Sequence, residues 1–260
     1  MNENRVKTAL NAGKTVIGTG LGITANPNVV RLLAGVGYDF LFIDIEHNLI
    51  SPENLMTVVQ MARACNISCM VRVQDTEYHL LANTLDSGAD GLIVPRVESK
   101  TQAECIVAYS KFPPQGVRGC GTTAPLDFNR QGEWGPALAW LNDQSLIATQ
   151  VESMKALDTL PEMLQVPGID LIVVGPLDLS INLGVPGQFN HPKFVTAVER
   201  VIQICQTHNV PSGIVLATPE ALKPWWEKGM RFLVCSNDFT MIKSTATDHL
   251  RAVRDFACSR

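Results

Sequence analysis

The sequence predicts an α/β chain folded as a TIM (β/α)₈ barrel. Its length of 260 residues is typical of one such barrel. Eight short apolar segments alternate along the chain with segments of helical periodicity, and each pair begins with the strand. No GxGxxG, GxxxxGKS or GxxxxGKT motif occurs, which disfavours the nucleotide-binding forms of an open, doubly wound sheet.

The predicted strands are near-continuous runs of β-branched residues and leucine, as parallel strands buried on both faces require. They cover residues 15–22, 40–47, 68–73, 91–97, 146–152, 171–178, 211–217 and 232–236. Helix starts are indicated where a capping residue precedes a proline, because proline fits the first helical position. The pattern occurs at Asn26-Pro27, Ser51-Pro52 and Thr218-Pro219.

One connection is much longer than the others. It covers about residues 112–144, is rich in glycine and proline, and is predicted to be a lid-like insertion because long loops in compact domains are usually functional. The last segment, at about 238–258, is predicted to be a terminal helix. We therefore expect residues 1–260 to form a single catalytic barrel domain.

Composition and charge exclude several classes of protein. A formal net charge of −4 gives no basic footprint for nucleic acid. The longest apolar runs are strand-sized, and the amino terminus lacks the apolar region of a secretion signal. The seven cysteines form no CxxC motif and are expected to be reduced, mostly buried thiols. We expect a cytoplasmic protein that binds neither nucleic acid nor a membrane.

Polar residues follow the predicted strands at the points where each strand ends. In a TIM barrel these ends form one rim, and the active site lies there. A single charged residue past an apolar strand can simply contact water. The prediction of an active site therefore depends on several such residues lying at the same rim. They are Asp44, Glu46 and His47 after the second strand, Arg72 after the third, Arg96 and Glu98 after the fourth, Gln150 and Glu152 after the fifth, and Asp178 after the sixth.

The positions of the lysines narrow the chemistry. A Schiff-base aldolase would place a lysine on a strand or at its end. All nine lysines fall in predicted helices or loops, and the nearest, Lys155, lies three residues beyond Glu152. Carbanion stabilisation would then come from a metal, and carboxylates on neighbouring strands, at Glu152 and Asp178, suit Mg²⁺ or Mn²⁺. Such a cation can chelate a 2-oxo acid and stabilise its enolate.

Four stretches of sequence resemble one known family. They are 37–47 (GYDFLFIDIEH), 112–119 (FPPQGVRG), 150–152 (QVE) and 166–180 (VPGIDLIVVGPLDLS). In this order, and with similarity from about residue 11 to 252, the chain resembles the HpcH/HpaI aldolase family of metal-dependent pyruvate aldolases. The resemblance implies a barrel of the phosphoenolpyruvate/pyruvate-binding type that uses Mg²⁺, Mn²⁺ or Co²⁺. It also implies a homo-oligomer, a hexamer built as a trimer of dimers.

The resemblance also implies catalytic roles. His47 matches the family's base, and Asp86 matches an acid that raises the basicity of that histidine from a neighbouring subunit. Arg72 matches the arginine that stabilises negative charge on the enolate oxygen. A neutral histidine paired with a carboxylate is a usable base near neutral pH, and a fixed guanidinium favours developing negative charge, so the physical chemistry agrees.

The binding residues implied by the resemblance lie on the fifth and sixth strands. Glu152 and Asp178 match the metal ligands. Gln150 and the backbone at Leu177 and Asp178 match the groups that hold the substrate's carboxylate and keto oxygens. One departure bears on specificity: Arg96 stands where methionine is common in the family and adds a cation near the rim.

The activity implied by the resemblance is reversible cleavage of a 4-hydroxy-2-oxo acid to pyruvate and an aldehyde through a metal-held pyruvate enolate. Two alternatives use the same site: oxaloacetate decarboxylation, which passes through the same enolate, and cleavage of a malyl- or citramalyl-type CoA ester. A non-catalytic ligand-binding barrel is a further alternative. The complete set of His47, Arg72, Glu152 and Asp178 argues against it.

Overall fold

Eight parallel strands pair in chain order and close into a barrel in the computed structural model, which describes residues 3–128 and 132–257. The last strand, β8, pairs with the first, β1, and completes the ring. The strands are β1 (Val16–Leu21), β2 (Phe40–Asp44), β3 (Ser68–Arg72), β4 (Gly91–Val94), β5 (Leu146–Val151), β6 (Leu171–Val174), β7 (Ser212–Leu216) and β8 (Phe232–Asn237). The predicted TIM barrel and all eight predicted strands are confirmed.

The described residues form eleven helices around the barrel. The predicted helix starts are confirmed, since the side chains of Asn26, Ser51 and Thr218 each accept a bond from an N–H in the first turn of the helix that follows. None of these helices is both long and apolar enough to cross a membrane. The helices are α1 (Arg5–Asn11), α2 (Pro27–Val36), α3 (Pro52–Ala64), α4 (Tyr78–Asp86), α5 (Lys100–Ser110), α6 (Trp134–Gln144), α7 (Met154–Met163), α8 (Pro176–Asn182), α9 (Pro192–Thr207), α10 (Pro219–Glu227) and α11 (Asp238–Ala257).

The sixth strand ends earlier than the sequence predicted. It stops at Val174, and the short helix α8 begins at Pro176 after Gly175 as its N-cap. Proline lacks an N–H and fits the first helical position, where that N–H would have no partner. Asp178 therefore lies in the first turn of α8 and not on a strand.

The long connection between α5 and β5 contacts the side of the barrel in the residues that the structure describes. Arg63 of α3 donates to Asp127 Oδ1 at 2.7 Å, and Arg118 donates to Asp86 at the end of α4 at 2.6 Å. The connection also contains α6, which the sequence did not predict. Its lid-like role stays a prediction, and residues 129–131 lie outside the described part. A small apolar cluster holds it together: Phe112, Leu126, Ala137 and Leu141.

Three helix-to-strand turns at the amino-terminal end of the barrel share one device. Each contains a glycine with φ between 94° and 104°, a left-handed conformation that glycine adopts without strain. Each turn then places an aspartate before an even-numbered strand, and its carboxylate accepts the N–H of a residue in the preceding odd-numbered strand. The pairs are Asp39 with Ile17, Asp90 with Cys69 and Asp170 with Ile147, at 2.8, 2.8 and 2.9 Å.

Two apolar layers fill the structure on either side of the strands. Inside the barrel, Phe40 and Phe232 stack with ring centroids 4.3 Å apart, and Val6 and Leu10 of α1 close the amino-terminal end. A larger layer lies between the outer face of the strands and the helices. The interior is therefore packed from the amino-terminal end, and open space remains at the carboxyl rim.

Asp90 should make stability depend on pH. Burial raises its pKa from 3.8 to about 6, although the hydrogen bond from the Cys69 amide acts in the opposite direction and lowers the pKa. Because the folded-state pKa is the higher one, Asp90 stabilises the fold below about pH 4, and this contribution is lost as the pH rises through about 6. Asp90→Asn keeps an acceptor for the amide but does not titrate. We therefore expect its free energy of unfolding, taken relative to that of the parent chain, to increase as the pH rises from about 4 to about 6.

Urea unfolding followed by circular dichroism across this pH range measures the difference. Asp39→Asn, which alters the same type of bond at an exposed position, is the matched control for the weaker amide acceptor. Parallel stability curves for Asp90→Asn and the parent chain would contradict the assignment.

Candidate active site

A cavity of about 420 Å³ opens at the carboxyl ends of the strands. A larger groove of about 710 Å³ lies beside α1 at the opposite end, and none of the predicted site residues lines it. Glu152 lies directly behind the cavity wall, since its Oε2 accepts a hydrogen bond from the side chain of Gln150. The predicted residues that line the cavity itself are His47, Arg72, Gln150, Leu177 and Asp178.

Asp44 and Arg72 form a bidentate ion pair at the rim. They end neighbouring strands and lie opposite each other in the register of β2 and β3. Nε and Nη2 of Arg72 each donate to one oxygen of Asp44 at 2.9 Å. Burial opposes ionisation of Asp44, but the bonds and charge of Arg72 outweigh it and hold the pKa of Asp44 below its usual value. The guanidinium is thereby fixed at the cavity wall.

Glu46 lies behind His47 and between two arginines. Its side chain is only 6% exposed, and its Oε2 is 3.4 Å from Arg72 Nε and 3.7 Å from His47 Nε2. Its Oε1 is 3.6 Å from Arg96 Nη2. Burial raises the pKa of Glu46, and the nearby charge of Glu152 adds to the rise. Within the described residues Glu46 Oε2 makes no hydrogen bond, so it can accept one from a ligand or a protonated His47.

Glu152 and Asp178 present carboxylates from neighbouring elements. Glu152 is buried, and its Oε1 accepts the backbone N–H of Arg96 at 2.7 Å. Burial raises the pKa of Glu152, and the charge of Asp178 raises it further. A cation between the two carboxylates would offset this repulsion, and such hard oxygen donors fit a divalent ion such as Mg²⁺.

The protein would supply few ligands to a divalent cation at this site. Across residues 3–128 and 132–257, no group of three or more His, Cys, Asp or Glu side chains is arranged to hold a metal. A cation on Glu152 and Asp178 would therefore complete its coordination shell with water or substrate oxygens, as Mg²⁺ commonly does.

The packing of the Gln150 and Glu152 side chains beside the end of β6 depends on Gly175. A Cβ added there would lie 2.7 Å from Gln150 Nε2 and 3.0 Å from Glu152 Oε2. Any side chain would displace the pair formed by Gln150 and Glu152. Gly175 lies in the 166–180 stretch that carries the family resemblance, but no role was predicted for it.

Asp86 does not reach the cavity of its own chain. It ends α4 and forms an ion pair with the buried Arg118, whose guanidinium also lies over the ring of Phe112. Burial raises the pKa of Asp86, and this effect outweighs the hydrogen bond and the positive charge of Arg118, which lower the pKa. The pairing of Asp86 with His47 of another subunit stays a prediction.

The lysines lie where the sequence analysis expected them, away from the strands. Lys155 is exposed in α7 and lies 3.2 Å from Glu98. Lys111 is buried, and burial lowers its pKa to about 8, but its Nζ donates to the carbonyl of Ser145 at the start of β5. That carbonyl lies at the end of the barrel opposite the cavity, so neither lysine is placed to form a Schiff base there.

The fold and the site define a TIM-barrel enzyme, because a fixed arginine, a histidine and buried carboxylates converge on the carboxyl rim of a closed parallel barrel. A family model described as HpcH/HpaI aldolase/citrate lyase matches residues 23–242. The chain belongs to this family, as the sequence predicted, and it is a carbon–carbon lyase.

Named relatives and solved structures agree with this assignment. The 4-hydroxy-2-oxo-heptane-1,7-dioate aldolase of Escherichia coli is 33% identical over 251 residues, which cover 94% of this chain and 92% of that protein. The structure of an HpcH/HpaI aldolase from Desulfitobacterium hafniense has a TM-score of 0.92 at 31% identity, and 96% of each chain is covered. The citrate synthase SbnG has a TM-score of 0.87 at 28% identity, with 98% of this chain and 99% of that chain covered.

Loss of the Asp44 carboxylate charge should destabilise the protein as well as disorder the site. Asp44→Asn leaves the Arg72 guanidinium partly buried without its bidentate partner, which typically costs about 3 kcal/mol or more. Asp158→Asn is the matched control, because its ion pair with Arg200 is exposed and should be worth less than about 1 kcal/mol. Urea unfolding of both variants measures the difference, and equal losses would show that the rim pair has no special role in stability.

Proposed function

We propose that this protein is a metal-dependent aldolase that cleaves 4-hydroxy-2-oxo acids to pyruvate and an aldehyde, and that also runs in the direction of carbon–carbon bond formation. The observation that carries the proposal is one cavity bounded by His47, Arg72, Gln150 and Asp178, with Glu152 directly behind Gln150. The cytoplasmic location expected from the sequence is part of the same proposal.

The substrate would be held by groups on β5 and α8. The N–H groups of Leu177 and Asp178 lie in the first turn of α8, where backbone donors lack helical partners. With Gln150 they would bind the carboxylate and keto oxygens of a 2-oxo acid. Mg²⁺, Mn²⁺ or Co²⁺, held by Glu152 and Asp178, would supply Lewis-acid stabilisation of negative charge on the keto oxygen.

Bond cleavage requires that a proton leave the C4 hydroxyl. His47 would take that proton, directly or through water, as the C3–C4 bond breaks and the aldehyde forms. The bond's electron pair stays on the pyruvate part as an enolate, which then takes a proton at C3. Glu46, 3.7 Å from His47, can stabilise the protonated imidazole within the same chain.

Arg72 would act on the charge that develops during this step. Its Nε and Nη2 are used by Asp44, and within the described residues its Nη1 makes no hydrogen bond. A donor fixed in this way needs little reorganisation when the enolate oxygen becomes negative.

Pyruvate release from a panel of 4-hydroxy-2-oxo acids tests the proposed function. We expect EDTA to abolish release and Mg²⁺, Mn²⁺ or Co²⁺ to restore it, because no lysine near the cavity can replace a cation. Isothermal calorimetry should show loss of Mn²⁺ binding in Glu152→Ala and Asp178→Ala with unchanged circular dichroism. Full activity in chelator, or borohydride trapping of pyruvate on a lysine, would refute the metal-dependent mechanism.

Arg72→Ala and His47→Ala should affect the rates of aldol cleavage and oxaloacetate decarboxylation differently. Arg72 acts wherever an enolate forms, so its loss should slow both aldol cleavage and oxaloacetate decarboxylation by roughly 10²–10³-fold. His47 serves the proton of the aldol hydroxyl, which oxaloacetate lacks, so His47→Ala should slow cleavage by about 10²–10⁴-fold and spare decarboxylation. The rates of aldol cleavage and of oxaloacetate decarboxylation, measured for each variant, distinguish the two roles. Equal losses for His47→Ala would show that the base is a different group.

The proposal includes a homo-oligomer. Helix α11 has 20 residues, of which only Asp238 is buried, and apart from Met241, which packs against the core, its large apolar side chains are half or more exposed. Such a helix needs a partner, and another copy of the chain can supply one. An assembly would also allow Asp86 to approach His47 of a neighbouring subunit, as the family resemblance implies. The exposed apolar residues of α11 are Phe239, Ile242, Leu250, Val253 and Phe256.

A further inference from the structure

A second chamber of about 320 Å³ adjoins the active-site cavity beside Arg72. The first chamber contains Gln150 and Asp178, whereas the second is bounded by the ends of β1 and β8 and the start of α11. A substrate held at Gln150 and Asp178 can therefore extend past Arg72 into the second chamber. The two chambers share Phe42, Arg72, Val215, Ser236 and Asn237 as lining residues.

Two glycines in the β1 wall of the second chamber let asparagine side chains pack close to that wall. Gly20 and Gly22 alternate at the end of β1, and both line the chamber. A Cβ added to Gly20 would lie 2.8 Å from Asn237 Cβ, and one added to Gly22 would lie 2.9 Å from Asn48 Nδ2. Both distances are too short for ordinary packing, so any larger residue would displace Asn237 or Asn48.

The charged groups of the chamber already have partners. Asp44 and Arg72 bind each other, and the carboxylate of Asp238 accepts bonds from three successive backbone amides that begin at Gly22, at 3.2, 3.1 and 3.1 Å. Arg96, the cation that departs from the family pattern, lines neither chamber. Beyond Arg72, the chamber offers no positive charge to an anionic ligand among its lining residues.

Neutral polar groups of the chamber remain available. Asn48 donates to Asp44 at 2.8 Å, which leaves its Oδ1 as an acceptor. Asn237 Oδ1 accepts the Thr240 amide at 2.8 Å, which leaves its Nδ2 as a donor. Ser236 adds a hydroxyl, with no hydrogen bond to any other described residue. Together these side chains can donate to and accept from a ligand's hydroxyl groups.

We propose that the second chamber binds the tail of the acceptor aldehyde and selects short aldehydes with neutral hydroxyl groups over those that end in a carboxylate. This inference rests on the proposed function and names the acceptor class of the same site. A hydroxylated tail would replace its bonds to water with bonds to Asn48, Ser236 and Asn237. A carboxylate tail would be desolvated close to Asp44 and Asp238 without gaining a cation of its own.

Condensation of pyruvate with three aldehydes tests the proposal: glyceraldehyde, propionaldehyde and succinic semialdehyde. We expect kcat/KM for the parent enzyme to be highest with glyceraldehyde. Asn237→Asp keeps the oxygen that accepts the Thr240 amide but replaces the donor with a negative charge. It should lower kcat/KM for glyceraldehyde about tenfold relative to propionaldehyde. Exchange of the pyruvate C3 protons with deuterium measures any effect of the variant on the first chamber, which Asn237 also lines, so the change in the ratio of glyceraldehyde to propionaldehyde is the deciding result.

Gly20→Ala should likewise act on glyceraldehyde more than on pyruvate exchange, because the new Cβ presses on Asn237. Gly35→Ala is the matched control, since a Cβ there meets no atom within 4 Å. A parent enzyme that prefers succinic semialdehyde, or an Asn237→Asp variant that slows all three aldehydes equally, would overturn the proposal. Absence of pyruvate exchange in the parent enzyme would instead overturn the proposed function, and the inference with it.

Discussion

The bidentate pair between Asp44 and Arg72 is the interaction on which the arrangement of the rim depends. It forms because parallel pairing places the last residues of β2 and β3 side by side. Asp44 also accepts the amides of Glu46 and His47, at 3.1 and 3.4 Å, and so shapes the loop that carries the base. One carboxylate therefore positions a guanidinium, a histidine and the Asn48 side chain at once, and the geometry of the site follows from strand register.

Small residues contribute as much to the site as charged ones do. Gly175 lets the backbone after β6 approach Gln150 and Glu152, and Gly20 and Gly22 let Asn237 and Asn48 pack against the end of β1. The interior of a TIM barrel is normally filled by side chains. At the amino-terminal end of this barrel, Phe40 and Phe232 fill it, and ligand space begins only at the carboxyl rim.

Much of this could be predicted from the sequence because strands and helix starts have local causes. Apolar runs define the strands, and an Asn, Ser or Thr before proline defines a helix start wherever it occurs. The residues of the rim could then be predicted, since the fold places the carboxyl ends of all the strands at the same end of the barrel. Helix α6 was missed because it lies in a connection rich in glycine and proline, and Gly135 weakens the local preference for a helix. Burial of Ala137 and Leu141 in the apolar cluster of this connection outweighs that preference.

Contacts between distant segments could not be predicted in the same way. The contribution of Ser236 and Asn237 follows from how β8 closes against β1, and no local pattern reports that closure. The position of Asp178 depends on where β6 gives way to α8, a boundary that a continuous apolar run followed by polar residues does not define. Asp86, which the family resemblance places near His47 of a neighbouring subunit, forms an ion pair with Arg118 of its own chain, and its pairing with His47 stays a prediction.

The two ends of the barrel use polar groups in opposite ways. At the amino-terminal end, Asp39, Asp90 and Asp170 each accept a backbone amide, so their polarity is used to hold the strands together. At the carboxyl end, Glu46 Oε2 makes no hydrogen bond among the described residues, although it is buried among charges. Glu46 Oε2 lies in ion-pair range of Arg72 and can still accept a hydrogen bond from a ligand, which would offset the cost of burying it without one. The same strands are thus stabilised at one end and left ready to bind at the other.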